Sequence, residues 1–132
     1  MKKLTVVVPC YNEEKALPFF IEEMSVQSKS IQYDIEYLFV NDGSKDKTLN
    51  VLLDLKQKYS QMNINIINFS RNFGKEAGML AGLKNSTGDL VVIMDADMQD
   101  PPFLLPKMIE LVENNDVDSV ATYRVTRKGE PP

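Results

Sequence analysis

Histidine and tryptophan are both missing from this 132-residue chain, and cysteine occurs once. Without histidine, Ser-His-Asp and Cys-His nucleophile systems are excluded, and so is any zinc site with an imidazole ligand. A metal would have to rest on carboxylates, which favours the hard ions Mg2+ or Mn2+. The lone Cys10 has no partner within the chain for a disulfide, in keeping with a reducing compartment. No uninterrupted apolar run approaches the roughly 20 residues that cross a bilayer. The first run, Leu4–Val8, is too short and too soon closed by Pro9 to be a signal peptide. An excess of basic charge is missing as well. Fifteen Lys and Arg against 19 Asp and Glu leave a net charge of −4, so no nucleic-acid partner is expected, because phosphate contacts need a basic surface. These absences lead to the expectation of a soluble, cytoplasmic protein.

What is present is an ordinary globular composition, 43% hydrophobic and 26% charged. The length fits a single domain spanning residues 1–132. Apolar, β-rich runs alternate with helical periodicity from the start. Leu4–Val8, Ile35–Val40, Ile64–Phe69 and Leu90–Met94 read as strands, the first and last of them buried, and a fifth is expected near Ser119–Tyr123. Leu17, Phe20, Ile21 and Met24 recur at i, i+3, i+4 and i+7, the stripe of an amphipathic helix. A second helix follows Asn41-Asp42-Gly43, with Ser44 expected at its N-cap, Asp46 in its first turn, and Leu49, Leu52, Leu53 and Tyr59 on its apolar face. A third is expected over about Lys75–Lys84, where Gly78 and Gly82 would permit close packing on a sheet. A fourth carries Leu104, Leu105, Met108, Leu111 and Val112.

Strand and helix alternating about five times predict an α/β domain: a mostly parallel, Rossmann-like sheet covered by helices on both faces. The polar clusters Tyr11–Glu14, Asn41–Ser44, Ser70–Lys75 and Asp95–Asp100 each follow the C-terminal end of a strand. In open α/β sheets that edge binds ligands.

The strongest chemical signal is the run Val91-Val92-Ile93-Met94-Asp95-Ala96-Asp97-Met98-Gln99-Asp100. In an extended segment, residues i and i+2 face the same way, so Asp95 and Asp97 would present two carboxylates together. Like charges at the end of an apolar strand repel unless a cation lies near them. A divalent ion shared with a ligand's phosphates would relieve that repulsion. The rival explanation is a solvated turn whose acids cap the helix that follows. In Pro9-Cys10-Tyr11-Asn12-Glu13-Glu14 the proline ends a strand, and the Tyr11 ring could stack on a base. Asp42 in Asn41-Asp42-Gly43-Ser44 could accept from the imide N–H of a uracil or the donors of a guanine, although turn chemistry alone also explains the motif. Arg71 and Lys75, flanking Asn72-Phe73-Gly74, are within reach of a nucleotide, or else belong to a solvated loop. Cys10 and the methionines read as core or loop filler.

Taken in order, these four motifs resemble glycosyltransferase family 2, and within it the polyprenyl-phosphate sugar transferases, dolichol-phosphate mannose synthases and bactoprenol glucosyltransferases. The resemblance runs along essentially the whole chain. It implies a GT-A fold, a nucleotide-sugar donor (UDP- or GDP-linked), a divalent metal, inversion at the anomeric carbon, and a lipid-phosphate acceptor at a membrane surface. By motif position it implies that Pro9, Tyr11, Glu13 and Asp42 line the nucleotide pocket. Asp95 would face the ribose or the metal, Asp97 and Gln99 the metal, and Arg124 the phosphates. Arg127 and Lys128 fall in a basic stretch of the kind family members also have nearby. Members of the family continue well past Arg127, with acceptor-side elements and in many cases membrane-spanning helices. The expectation is therefore a domain cut short at its C-terminal end, with a sheet edge open to self-association. A sugar-1-phosphate nucleotidyltransferase would instead carry a glycine-rich basic loop after its first strand. A receiver domain would carry a lone phosphorylatable aspartate. Neither pattern is present. Two alternatives remain open: a family 2 transferase acting on a saccharide hydroxyl, which would want a carboxylate base, and a nucleotide-binding module without turnover.

Overall fold

The computed structural model describes residues 2–99 and 101–115. The expected fifth strand, Arg124, Arg127, Lys128 and Asp100 lie outside the described residues. Within them the chain runs β1 (Lys3–Cys10), α1 (Leu17–Gln27), β2 (Asp34–Asn41), α2 (Thr48–Lys58), β3 (Asn63–Asn68), α3 (Lys75–Asn85), β4 (Leu90–Ile93) and α4 (Leu105–Asn115). Short 3-10 turns at Ser28–Ser30 and Pro102–Leu104 complete it.

The strands form one sheet in the order β3-β2-β1-β4, and every neighbouring pair is parallel. A parallel pair needs a crossover, and here each crossover is a helix. The chain steps outward from β1 to β2 to β3, then returns to the far side of β1 for β4. Right-handed connections place a crossover that runs back across the sheet on the face opposite the outward-running ones. Accordingly, Leu4, Val6, Val8 and Cys10 of β1 pack in one core with residues of α1, α2 and α4, while α3 lies against Val7, Pro9 and Val40 on the other face. The reversal opens a crevice between the C-terminal ends of β1 and β4, the switch point where open α/β sheets bind ligands.

Core chemistry follows the strand period. Phe20 of α1 meets Phe39 of β2 edge to face, with ring centroids 6.1 Å apart, and both rings are fully buried. Burying an aromatic or branched side chain of this size contributes about 2 kcal/mol. On the other face, Gly82 is where α3 comes closest to the sheet. A Cβ there would lie 2.2 Å from Cγ1 of Val7, whereas at Gly78 it would make ordinary contacts.

Several local expectations change. β1 does not end at Pro9 but continues to Cys10, in register with Val40 and Asn41 of β2. Odd-numbered residues of β1 turn their backbone polar groups toward β4, as when Val7 O accepts from Met94 N. Pairing with β4 stops at Val7, so the N–H that Pro9 lacks has no strand to bond. Ser44 does not cap α2, which starts at Thr48; Asp46 precedes the helix, and its Oδ1 accepts from Thr48 N at 2.9 Å. The buried face of α2 is Thr48, Leu52 and Leu55, and Leu53 is 50% exposed. In α4, Leu105, Met108, Ile109 and Val112 are buried and Leu111 is exposed.

Candidate donor-binding site

Four strand ends feed one cleft of about 410 Å3. Pro9, Cys10, Tyr11 and Glu13 come from the end of β1 and its loop, and Asp42 from the end of β2. Asn72, Gly74 and Lys75 come from the entry to α3, and Asp95, Asp97 and Gln99 from the turn after β4. Every nucleotide-pocket and metal residue expected from the sequence lies on this cleft except Arg71 and, outside the described residues, Arg124. The Arg71 guanidinium instead lies over the Phe73 ring, 4.3 Å from its centroid, and Phe73 packs edge to face on Phe69.

The loops are held together by side chains. Asn12 sits at φ +55°. Its N–H donates to Ser44 Oγ at 2.9 Å, and its Oδ1 accepts from Lys45 N at 2.8 Å. Glu13 N donates to Thr48 Oγ1 at 2.8 Å. The loop after β1 is thus fastened to the loop after β2, which fixes Tyr11 and Glu13 on the cleft wall. Tyr11 stays 41% exposed on the cleft.

Asp95 and Asp97 do share the cleft, but not through strand alternation. β4 ends at Ile93, and the chain turns at Asp95–Met98, where Met98 adopts φ +64°. The turn leaves Asp95 6% exposed and Asp97 at the surface. Lys75 Nζ reaches Asp95 Oδ1 at 3.0 Å. Asp97 accepts from Gln99, through the backbone N–H at 3.2 Å and the side-chain Nε2 at 3.0 Å, which leaves the Gln99 carbonyl oxygen available to a cation.

The cleft is electrically strained toward the negative. Burial, then the charges of Asp97, Asp95 and Asp46, push the Glu13 carboxyl up to about 7, against a partial counter-pull from Lys75. Burial, reinforced by Glu13 and Asp95, also raises the Cys10 thiol well above its ordinary value, so Cys10 is a neutral wall and not a nucleophile. Among the described residues no three Cys, Asp or Glu side chains are grouped to hold a metal by themselves. The donor set Asp95, Asp97 and Gln99 nevertheless suits Mg2+ or Mn2+. Such ions commonly take one or two carboxylates and complete their shell with water and phosphate oxygens.

Sequence reasoning missed two contributors. Asn72 was legible only as part of its motif, yet its Nδ2 donates to both the carbonyl and Oδ2 of Asp42 at 3.1 Å. Cys10, read as filler, lines the cleft because β1 runs two residues further than expected.

The model for the family named Glycosyl transferase family 2 matches residues 5–132. The chain belongs to glycosyltransferase family 2. Among curated relatives, it is 34% identical over 128 residues to an undecaprenyl-phosphate 4-deoxy-4-formamido-L-arabinose transferase of Photorhabdus laumondii, covering 97% of this chain and 39% of that protein. It is 41% identical over 108 residues to a bactoprenol glucosyl transferase of Shigella phage SfX, covering 82% of this chain and 35% of that protein. The chain thus spans less than two fifths of the length of either relative. Its fold is that of GT-A glycosyltransferases. A mannosyltransferase of Pyrobaculum calidifontis, solved with GDP-Man and Mn2+, superposes with a TM-score of 0.74 at 23% identity, over 84% of this chain and 32% of that one.

Proposed function

We propose that this family 2 domain binds a nucleotide-diphospho-sugar, UDP- or GDP-linked, with Mg2+ or Mn2+ and serves the inverting transfer of its sugar to a lipid phosphate such as polyprenyl phosphate. The observation that carries the reading is the meeting of Asp95, Asp97 and Gln99 with Lys75, Tyr11 and Glu13 on one cleft at the sheet's switch point. The relatives that act on undecaprenyl phosphate and bactoprenol support the acceptor class.

In this reading Tyr11 offers its ring to the base, and Glu13 lines the nucleotide side. Asp95, Asp97 and Gln99 would hold the cation, and Lys75 adds a charge beside them. A bound divalent cation would neutralise the charge that develops on the departing diphosphate. The acceptor's phosphate oxygen attacks the anomeric carbon from the face opposite the leaving group. The bond from that carbon to the β-phosphate oxygen breaks, and the nucleoside diphosphate leaves with the electron pair. A lipid phosphate is already anionic at neutral pH and requires no strong general base, which suits a chain without histidine. The resemblance assigns Arg124 to the phosphates from the other side. The work would take place at a membrane surface, although no helix among the described residues is long and apolar enough to cross a membrane.

Calorimetric titration with UDP and GDP, with and without Mn2+, tests donor binding. Transfer of radiolabelled sugar to polyprenyl phosphate tests the acceptor. Metal-dependent binding of one nucleotide is the expected result, and absence of binding to both overturns the reading. Because the chain spans only part of its relatives, donor binding without transfer is the second reading, and the same two assays separate it from the first.

A further inference from the structure

Among the described residues, only Asn12 and Met98 combine a side chain with a positive φ. Asparagine is a frequent occupant of that region, because its short polar side chain tolerates it. Methionine is not, and Met98 stands at φ +64°. Its place gives the strain a meaning. Met98 lies between Asp97 and Gln99, both assigned above to the cation.

The turn after β4 sorts its side chains. Ala96 is fully buried and Met98 packs half-buried against the apolar core, while Asp97 and Gln99 stand at the surface. In an extended chain, residues two apart are roughly 7 Å from each other along one face. Here Met98 N donates to Asp95 O at 3.4 Å, and the left-handed turn at Met98 brings Gln99 back onto Asp97. Gln99 N donates to Asp97 Oδ1 at 3.2 Å, an Asx turn with Met98 at its centre. Gln99 Nε2 donates to Oδ2 at 3.0 Å. A carboxylate has about four acceptor positions, so Asp97 is held by both oxygens and still has room for a cation.

A Cβ at positive φ crowds the following carbonyl, a cost that glycine does not meet. Contact with the core offsets that cost for Met98. Its side chain is unbranched at Cβ and flexible beyond it, so it can reach the core from a backbone that would exclude a β-branched residue. Met98 does not line the cleft itself.

We propose that Met98 is a positioning residue for the cation: its left-handed turn, anchored in the core, sets Gln99 against Asp97 so that both offer oxygen to one ion. The inference rests on the donor-site reading above.

The test measures Mn2+ affinity through the electron paramagnetic resonance signal of the free ion, at saturating UDP or GDP. Met98→Leu keeps both the anchor and the backbone cost, and should stay within about twofold of the wild type. Met98→Val puts a branched Cβ at positive φ and should weaken Mn2+ binding about tenfold, the scale of one contact to a charged group. Met98→Asn gives up the anchor but accepts the left-handed turn, so it should recover most of what valine loses. That recovery separates positioning from packing, because on packing alone the polar substitute should bind worst. Urea denaturation checks that each variant is folded. Should Met98→Val fail to fold, Met98→Ala replaces it: alanine keeps the Cβ cost without the anchor, and should bind Mn2+ more weakly than Met98→Asn. Wild-type affinity in Met98→Val overturns the proposal. So does Mn2+ binding by Met98→Asn no tighter than that of the valine variant or its alanine replacement. A wild type that binds UDP or GDP without taking up Mn2+ overturns the metal assignment, and one that binds neither nucleotide overturns the donor-site reading itself.

Discussion

Glu36 and Glu13 sit at opposite ends of the same parallel sheet, and their surroundings treat a carboxylate in opposite ways. Near the N-terminal ends of the strands, Glu36 is 6% exposed and surrounded by donors. Its Oε1 accepts from Thr5 Oγ1 at 2.7 Å, Thr87 N at 2.8 Å and Thr87 Oγ1 at 2.9 Å, and Lys3 Nζ stands 3.5 Å from Oε2. Thr5 Oγ1 in turn accepts from Gly88 N at 2.8 Å. Burial raises the Glu36 carboxyl, but the bonds from Thr5 and Thr87 together with Lys3 outweigh it and hold the group below its ordinary value. At the other end, Glu13 shares a cleft with Asp95 and Asp97 and is pushed up to about 7. One end is a closed account of donors and acceptors that locks the turn before β4 onto β1. The other leaves negative charge only partly compensated by Lys75. Uncompensated charge in a cleft is where a cationic or cation-bearing ligand is favoured.

Removing the closed network should have the largest effect. Glu36→Ala strands the buried Thr5 hydroxyl and takes away the acceptor of the Thr87 N–H and hydroxyl, and is expected to cost about 3 kcal/mol of unfolding free energy. Urea denaturation measures it, and a loss below about 0.5 kcal/mol would mean that the network does not hold the fold.

The cleft should respond in function more than in stability. Asp97→Asn removes an exposed anionic ligand, so Mn2+-dependent nucleotide affinity should fall about tenfold, whereas the unfolding midpoint should barely move. Equal nucleotide affinity at saturating Mn2+ would remove Asp97 from the metal shell.

The smallest and most discriminating effect is in the sign of the pH dependence. A carboxyl lowered in the folded state adds stability above its ordinary value near 4.5, and that stability is lost as pH falls through the folded value. A carboxyl raised to about 7 works in reverse: the folded protein holds the extra proton, so stability declines as pH climbs from 4.5 toward about 7. In metal-free urea denaturation across pH, Glu36→Gln should flatten the acid limb and Glu13→Gln the decline toward neutrality. If both variants flatten the same limb, the contrast between the two ends is wrong. Mn2+ with nucleotide should also reduce the Glu13 decline, because a cation beside Asp95 and Asp97 offsets the repulsion.

Much of this was legible in the chain itself. Apolar runs of strand length alternating with helical stripes gave the α/β layers, since burial on a sheet face needs period two and burial of one helix face needs period 3.6. The placement of polar clusters after those runs located the site edge, because loops at one end of parallel strands are necessarily neighbours. Boundaries were less legible. Pro9 reads as a stop, yet only the early end of its neighbour β4 allows the strand to pass through it. Ser44 and Asp46 read as the start of a helix, yet their side chains serve Asn12 and Thr48 instead.

The order of elements, the absence of histidine chemistry, and the presence of the acidic pair Asp95 and Asp97 after the fourth strand were determined by the sequence alone. Only the tertiary structure decided what each charged side chain does once its loop is in place. Asp42 accepts from groups 30 to 32 residues away in the chain, Lys75 meets Asp95 across the cleft, and Arg71 lies on Phe73 while the rest of its motif turns inward. The reason is physical. Periodicity records which face of an element is dry, a property of each residue and its near neighbours. Hydrogen bonds and ion pairs depend on which distant groups arrive within about 3 Å, and that is fixed by strand order and loop geometry rather than by local pattern.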